Sequence, residues 1–141
     1  MSEVLARVET PLNPTEDPEK VLRAVRNLFP NCAAAIVRSN ERHAKLEGSM
    51  TRLEDLDNLK ALLRQEAIRD AARKLLLKSI SGSSIVVHLN KQAAFAGKAS
   101  FCDRYDESPL GPVTLTITTE NPEELANWLA PSSRSRQQAE T

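Results

Sequence analysis

The sequence predicts one α+β domain in which helices cover one face of a mixed sheet. Three observations carry this expectation. Apolar and polar residues alternate from Val4 to Glu9 and again from Val113 to Thr118, the period-two pattern of half-buried strands. Elsewhere apolar residues recur at three- and four-residue steps behind good helix caps. The elements follow in the order strand, helix, strand, strand, helix, strand, then two more strands and a short helix. The first six match a split βαβ, ferredoxin-like pattern; the last two strands read as an extra β-hairpin.

In the first strand Val4, Ala6 and Val8 point one way and Leu5, Arg7 and Glu9 the other. Asp17 is a suitable N-cap for the following helix, and Pro18 suits its first position. Val21, Leu22, Val25, Leu28 and Phe29 form its apolar face, and Pro30 and Asn31 stop it. "CAAAIVR" and "RHAKLEGS" read as two strands joined at Ser39-Asn40-Glu41. Thr51 and Glu54 have capping-box spacing. One long helix is expected behind them, with Leu56, Leu59, Leu63, Ala67, Ala71 and Leu75 on its apolar side and Gly82 at its end. "SSIVVHL" is a strand with Ile85, Val87 and Leu89 on one face. "LNKQAAFAGKASF" reads as a strand end, a turn and a strand start. "NPEELANWLAP" is a helix capped by Asn121, with Pro122 first. The domain is expected over residues 1–131, and the polar run 132–141 as a disordered tail.

At 141 residues the chain is long enough to bury a core without staples. Lys+Arg and Asp+Glu are 19 each, so the net charge is +0, which argues against a dedicated nucleic-acid binder without excluding a local basic patch. No apolar run approaches the roughly 20 residues of a membrane span. The charged start does not read as a leader peptide, and a cytoplasmic location is expected. Cys32 and Cys102 stand in no metal or redox spacing and read as buried thiols.

Four stretches, "NPTEDPEKV", "LLRQEAIRDAARKLL", "LNKQAAFAGKASF" and "SPLGPVTLTI", resemble in that order segments of the archaeal uncharacterised protein family 201 (UPF201-type). The resemblance runs from about Val4 to Pro131. Its most specific parts are Lys91-Gln92-Ala93-Ala94 and Pro109-Leu110-Gly111. It implies an archaeal source, a fold like that of the large-subunit ribosomal protein five, which binds RNA, and no established catalytic activity.

Two roles compete for the Lys91 segment. In the architectural one, Lys91 and Gln92 cap backbone groups, Ala93 and Ala94 permit close packing, and Gly97 permits a bend. In the other, Lys91, Gln92, Lys98 and Arg104 form a contact surface. The architectural role is preferred. Gly97-Lys98 is not a phosphate loop of the G-x-x-x-x-G-K-[ST] type. "GKASF" lacks the central aromatics of the RNA-recognition strand motif. Gln65, Arg69 and Arg73 make a second basic stripe, read first as a solvated helix face. Phe29 and Trp128 are expected in the core. His43 and His88, the two histidines, are placed as neighbours on the open sheet face without a metal set around them.

The functional expectation is a non-enzymatic protein with an RNA-binding-like fold, a weak reader of phosphate and shape. Lys91, Gln92, Lys98, Arg104, Arg69 and Arg73 would be its contacts. The alternative is a homodimeric interaction module that keeps the fold without RNA. No catalytic residue, metal, cofactor, small-molecule substrate or membrane contact is predicted.

Overall fold

The computed structural model describes residues 4–40, 43–65, 68–102 and 111–131. Arg104, Pro109, Leu110 and the expected tail at 132–141 lie outside the described residues. Among the described residues seven strands form one sheet: β1 (Val4–Leu12), β2 (Ala33–Arg38), β3 (Ala44–Met50), β4 (Ile80–Ser81), β5 (Ser84–Leu89), β6 (Phe101–Cys102) and β7 (Val113–Thr119). The helices are α1 (Pro18–Leu28), α2 (Asp57–Gln65), α3 (Arg69–Lys78), α4 (Lys91–Phe95) and α5 (Pro122–Leu129).

The strand order is β2-β3-β1-β7-β5-β4, with β6 pairing β5. Every pairing is antiparallel, so the sheet is not mixed. The two late strands do not pair with each other: β7 enters between β1 and β5, and β6 lies on the far side of β5. Alternation decides the faces. Val4, Ala6 and Val8 of β1 and Val113, Leu115 and Ile117 of β7 are buried under the helices, while Leu5, Arg7 and Glu9 are exposed on the open face. Leu28, Phe29, Leu59, Leu63, Leu76, Leu125 and Leu129 close the core from the helix side.

α1 starts as expected: the Asp17 carboxylate accepts the Glu19 N–H at 3.0 Å, and Pro18 is first. The second helix departs from expectation in three ways. The box at its start is shifted by one residue, with the Arg52 N–H donating to Asp55 at 3.3 Å, while Glu54 pairs instead with the Arg52 guanidinium. A 3₁₀ turn, Leu53–Leu56, precedes α2. The long helix is two helices. Ile68, at φ −113° and ψ 16°, leaves the helical region, and its N–H reaches back to Leu63 O at 3.1 Å.

The break has a packing reason. Leu56, Leu59 and Leu63 are buried before it, but Ala72 and Leu76 after it. At about 3.6 residues per turn, Leu63 and Ala72 would point to opposite sides of one continuous helix. The interruption returns both to the core and leaves Ala71 exposed. α3 ends at Lys78, where the Ser79 hydroxyl donates to Leu75 O at 2.7 Å. Gly82, at φ +61°, serves the β4–β5 turn rather than the helix end.

Candidate nucleic-acid interface

The Lys91 segment is a short helix with a closed base, not a plain turn. Asn90 caps α4, its side-chain oxygen accepting the Ala93 N–H at 2.9 Å. At the other end the Gly97 N–H donates to Ala94 O at 3.0 Å and the Lys98 N–H to Ala93 O at 2.9 Å. That pair of bonds is a Schellman motif. It needs a left-handed residue just past the helix, supplied by Gly97 at φ +76°. The Asn90 N–H then donates to Ser100 O at 2.7 Å, which fixes the two ends of the segment together.

Lys91 points inward and is 0% exposed. Its ammonium donates to Pro11 O at 2.7 Å and to the Glu16 carboxylate at 3.1 and 3.3 Å. Glu16 is held in turn by Asn13, whose backbone N–H and side-chain amide donate to Oε1 at 3.0 and 2.7 Å. Burial holds the Lys91 ammonium below its ordinary pKa, with the Glu16 carboxylate opposing the shift. A buried charge survives only when paired and hydrogen-bonded, and this one is both. Lys91 therefore ties α4 to the β1–α1 connection and caps a backbone carbonyl, as the preferred architectural reading expects, and does not stand on the surface as the contact reading would have it.

α1 supplies a second tie, which sequence reasoning missed. The Asn27 side-chain amide donates to Ala94 O at 2.9 Å, and the Asn58 amide donates to Asn27 O and Leu28 O at 2.8 and 3.0 Å. Both asparagines satisfy carbonyls that helix ends leave open. The signal available was an amide next to the apolar face of each helix.

The outward side of the segment carries Gln92, Phe95 and Lys98, all exposed, Phe95 at 39%. Arg69 and Arg73 lie elsewhere, one turn apart on α3 and half-buried. The Arg73 guanidinium donates to the Asn127 side chain on α5 at 2.9 Å. Gln65 belongs to α2, across the break, so the expected stripe is divided. α4 packs on α1, whereas α3 packs on α5 and β5, so the two basic groups sit on different helix pairs.

The open sheet face is mixed in charge. Lys45 bridges Glu9 and Glu47 at 3.3 Å each, and the two carboxylates raise its pKa, the hydrogen bond it donates to Glu9 foremost. His43 bonds Asn40 at 3.0 Å beside the β2–β3 turn, and His88 bonds Thr114 at 2.9 Å. β1 and β7 separate β3 from β5, so the histidines are not neighbours. Among the described residues no aromatic side chain stands on this face. Phe101 pairs with buried Leu89 and packs against the core. Trp128 is only partly buried, with the Lys60 ammonium 4.4 Å above its ring. Among the described residues no group of three potential metal ligands occurs, and no helix is long and apolar enough to cross a membrane.

A family model described as RNA binding matches residues 6–119. A UPF0201 protein of Sulfolobus acidocaldarius is 43% identical over 128 residues, covering 89% of this chain and 86% of that protein. One from Methanopyrus kandleri is 41% identical over 134 residues, covering 85% and 80%. The crystal structure of a UPF0201 protein from Methanococcus jannaschii superposes with a TM-score of 0.81 at 29% identity, over 90% of this chain and 99% of that one. With the match spanning most of the chain in both sequence and fold, this protein belongs to the family described as RNA binding, that of the UPF0201 proteins.

Proposed function

We propose that the chain is a non-enzymatic RNA-binding module that reads phosphate and shape rather than base identity. The observation that carries this reading is the match of residues 6–119 to a family described as RNA binding. The exposed Gln92, Phe95 and Lys98 support it from the α4 segment. Arg104, next in the chain after that segment, and Arg69 and Arg73 on α3 complete the contact set. Lys91 acts from inside, holding the segment in place. With 3 Phe, 1 Tyr and 1 Trp in the chain, few bases have a ring to stack on, so phosphates supply the affinity. A net charge of +0 makes that affinity local and weak. The same reading takes the protein as cytoplasmic, which suits two buried cysteines.

The test is titration of fluorescent mixed-sequence RNA between about 50 and 200 mM salt. About four phosphate contacts on single strands give a log–log slope near −3. Alanine at Lys98, Arg69 and Arg73 together flattens the slope in folded protein. Absence of binding at low salt, or unchanged affinity in the triple variant, sinks the reading.

A second reading, a homodimeric interaction module, is favoured by one observation: among the described residues no strand pairs with the outer edge of β2.

A further inference from the structure

The two margins of the sheet are treated differently. On one side, β5 is covered at its start by β4, where Ile85 pairs with Ile80, and at its end by β6, where His88 and Leu89 pair with Cys102 and Phe101. Little free backbone remains there. On the other side, β2 pairs with β3 along all six of its residues and has no strand beyond it among the described residues. Its outer N–H and C=O groups form an open edge.

Open edges are usually blocked by charge, proline or a bulge. Ala33–Val37 has neither charge nor proline, and its regular register with β3 contains no bulge. Ala33, Ala35, Ile36 and Val37 are exposed, and Ala34 is half-buried against the core. Ile36, paired with buried Leu46 on the helix side, is 43% exposed, and Val37, paired with Lys45 on the open side, is 37% exposed. On the open side a shallow groove of about 450 Å³ continues from Ala33, Ala35 and Val37 across Ser49 to Leu5 and Arg7.

An occupant of this edge must be a strand, because backbone groups are what the edge offers. It must be apolar on both faces and uncharged through its middle. β2 itself meets these conditions. In an antiparallel pair of β2 strands related by a two-fold axis, alanines and branched residues face each other on both sides of the sheet. The two Arg38 side chains fall at opposite ends, so no like charges are opposed. A two-fold pair uses the β2 edge of each copy once, and among the described residues the other margin is divided between two-residue strands, so growth stops at two copies.

We propose that a second copy of this chain docks on β2, edge to edge and antiparallel, to make one continuous sheet. The proposal rests on the homodimeric reading and names the surface that would serve it. It is independent of RNA. The joined area is small, so association depends on concentration.

Sedimentation equilibrium of the full chain from micromolar to millimolar concentration, with amide exchange on the same samples, tests it. The expected mass rises from one chain to two, and the alternate amides of Ala33–Val37 that face away from β3 gain protection as it does. Ile36→Lys and Val37→Lys, both at exposed positions, abolish the rise while the melting curve stays that of the parent. A single-chain mass throughout would overturn both the homodimeric reading and the edge. A dimer in which the β2 amides gain no protection would keep the homodimer and overturn the edge, whatever the variants do. Growth beyond two copies would overturn the closed pair.

Discussion

The Lys91 ammonium lies 3.1 Å from Glu16 Oε1, and the two side chains are 0% and 6% exposed. The pair crosses from α4 to the β1–α1 connection, so a contact between distant parts of the chain depends on two charges that water barely reaches. Removing one partner of such a pair strands the other, at a cost of about 3–5 kcal/mol. Lys91→Ala is therefore expected to destabilise strongly in urea denaturation. Lys91→Met with Glu16→Gln removes both charges and is expected to recover much of the loss. A double variant no better than the single would show that packing, not charge, carries the effect.

The same lysine sets a pH dependence. Burial, opposed by Glu16, holds its folded pKa below the ordinary lysine value, which the unfolded chain retains. Between those two values the unfolded chain binds more protons, so stability contributed by this group rises with pH there and is lowest below the folded value. The stability of the parent relative to Lys91→Met is expected to increase as pH climbs from neutral toward the ordinary lysine range. Denaturation curves of both proteins at stepped pH measure it. A difference that shrinks with alkali would refute the assignment.

Gly48 has no room for a side chain. A Cβ there would lie 2.5 Å from Cys32 Sγ, 2.8 Å from Ala33 O and 3.0 Å from Ala34 Cα. Overpacking of this kind costs about 1–3 kcal/mol. Gly48→Ala is expected to lower the melting temperature. Adding Cys32→Ala is expected to relieve part of the loss, since the sulfur leaves and the Ala33 carbonyl stays. Full tolerance of the single change would mean that β2 shifts freely on β3.

How much of this was legible in the sequence depends on the range of the interaction that decides it. Local signals sufficed for β1 and β7, where alternation fixes the buried face, and for α1, where Asp17 and Pro18 mark the start. The break at Ile68 was hidden because leucines recur at helical spacing on both sides of it; only the burial of Ala72 in place of Ala71 reveals the change of phase. β7 between β1 and β5 is a matter of long-range pairing that no window of sequence contains. For Lys91 the role was legible and the partners were not. The architectural reading has it capping backbone groups, but Pro11 and Glu16, which receive its ammonium, stand far away in the chain. Gly97 was read as a bend in the following strand, and its left-handed backbone closes a helix instead.

Cys32 is 4% exposed, and burial pushes its thiol pKa up, with Asp55 adding to the rise and Arg26 opposing it. The thiolate is the reactive form, so the folded protein is expected to resist alkylation at Cys32 at neutral pH. Iodoacetamide labelling read by peptide mass should be slow in buffer and fast in denaturant. Rapid labelling of the native state would mean that the β2 side of the core opens readily.

Lys98 and Lys91 separate contact from architecture. Lys98 is exposed, and its structural bond runs from its backbone N–H to Ala93 O, which a change of side chain leaves in place. Lys98→Ala is expected to alter stability by no more than about 0.5 kcal/mol. Under the RNA reading it also lowers affinity and takes about 0.7 off the salt slope. Lys91→Ala should do the reverse, weakening the fold while changing the slope only as far as α4 is displaced. Measuring both variants by denaturation and by RNA titration distinguishes the two roles. If Lys98→Ala leaves the titration untouched while Lys91→Ala destabilises as expected, the Lys91–Lys98 segment is a structural joint and the RNA contact must be sought on α3.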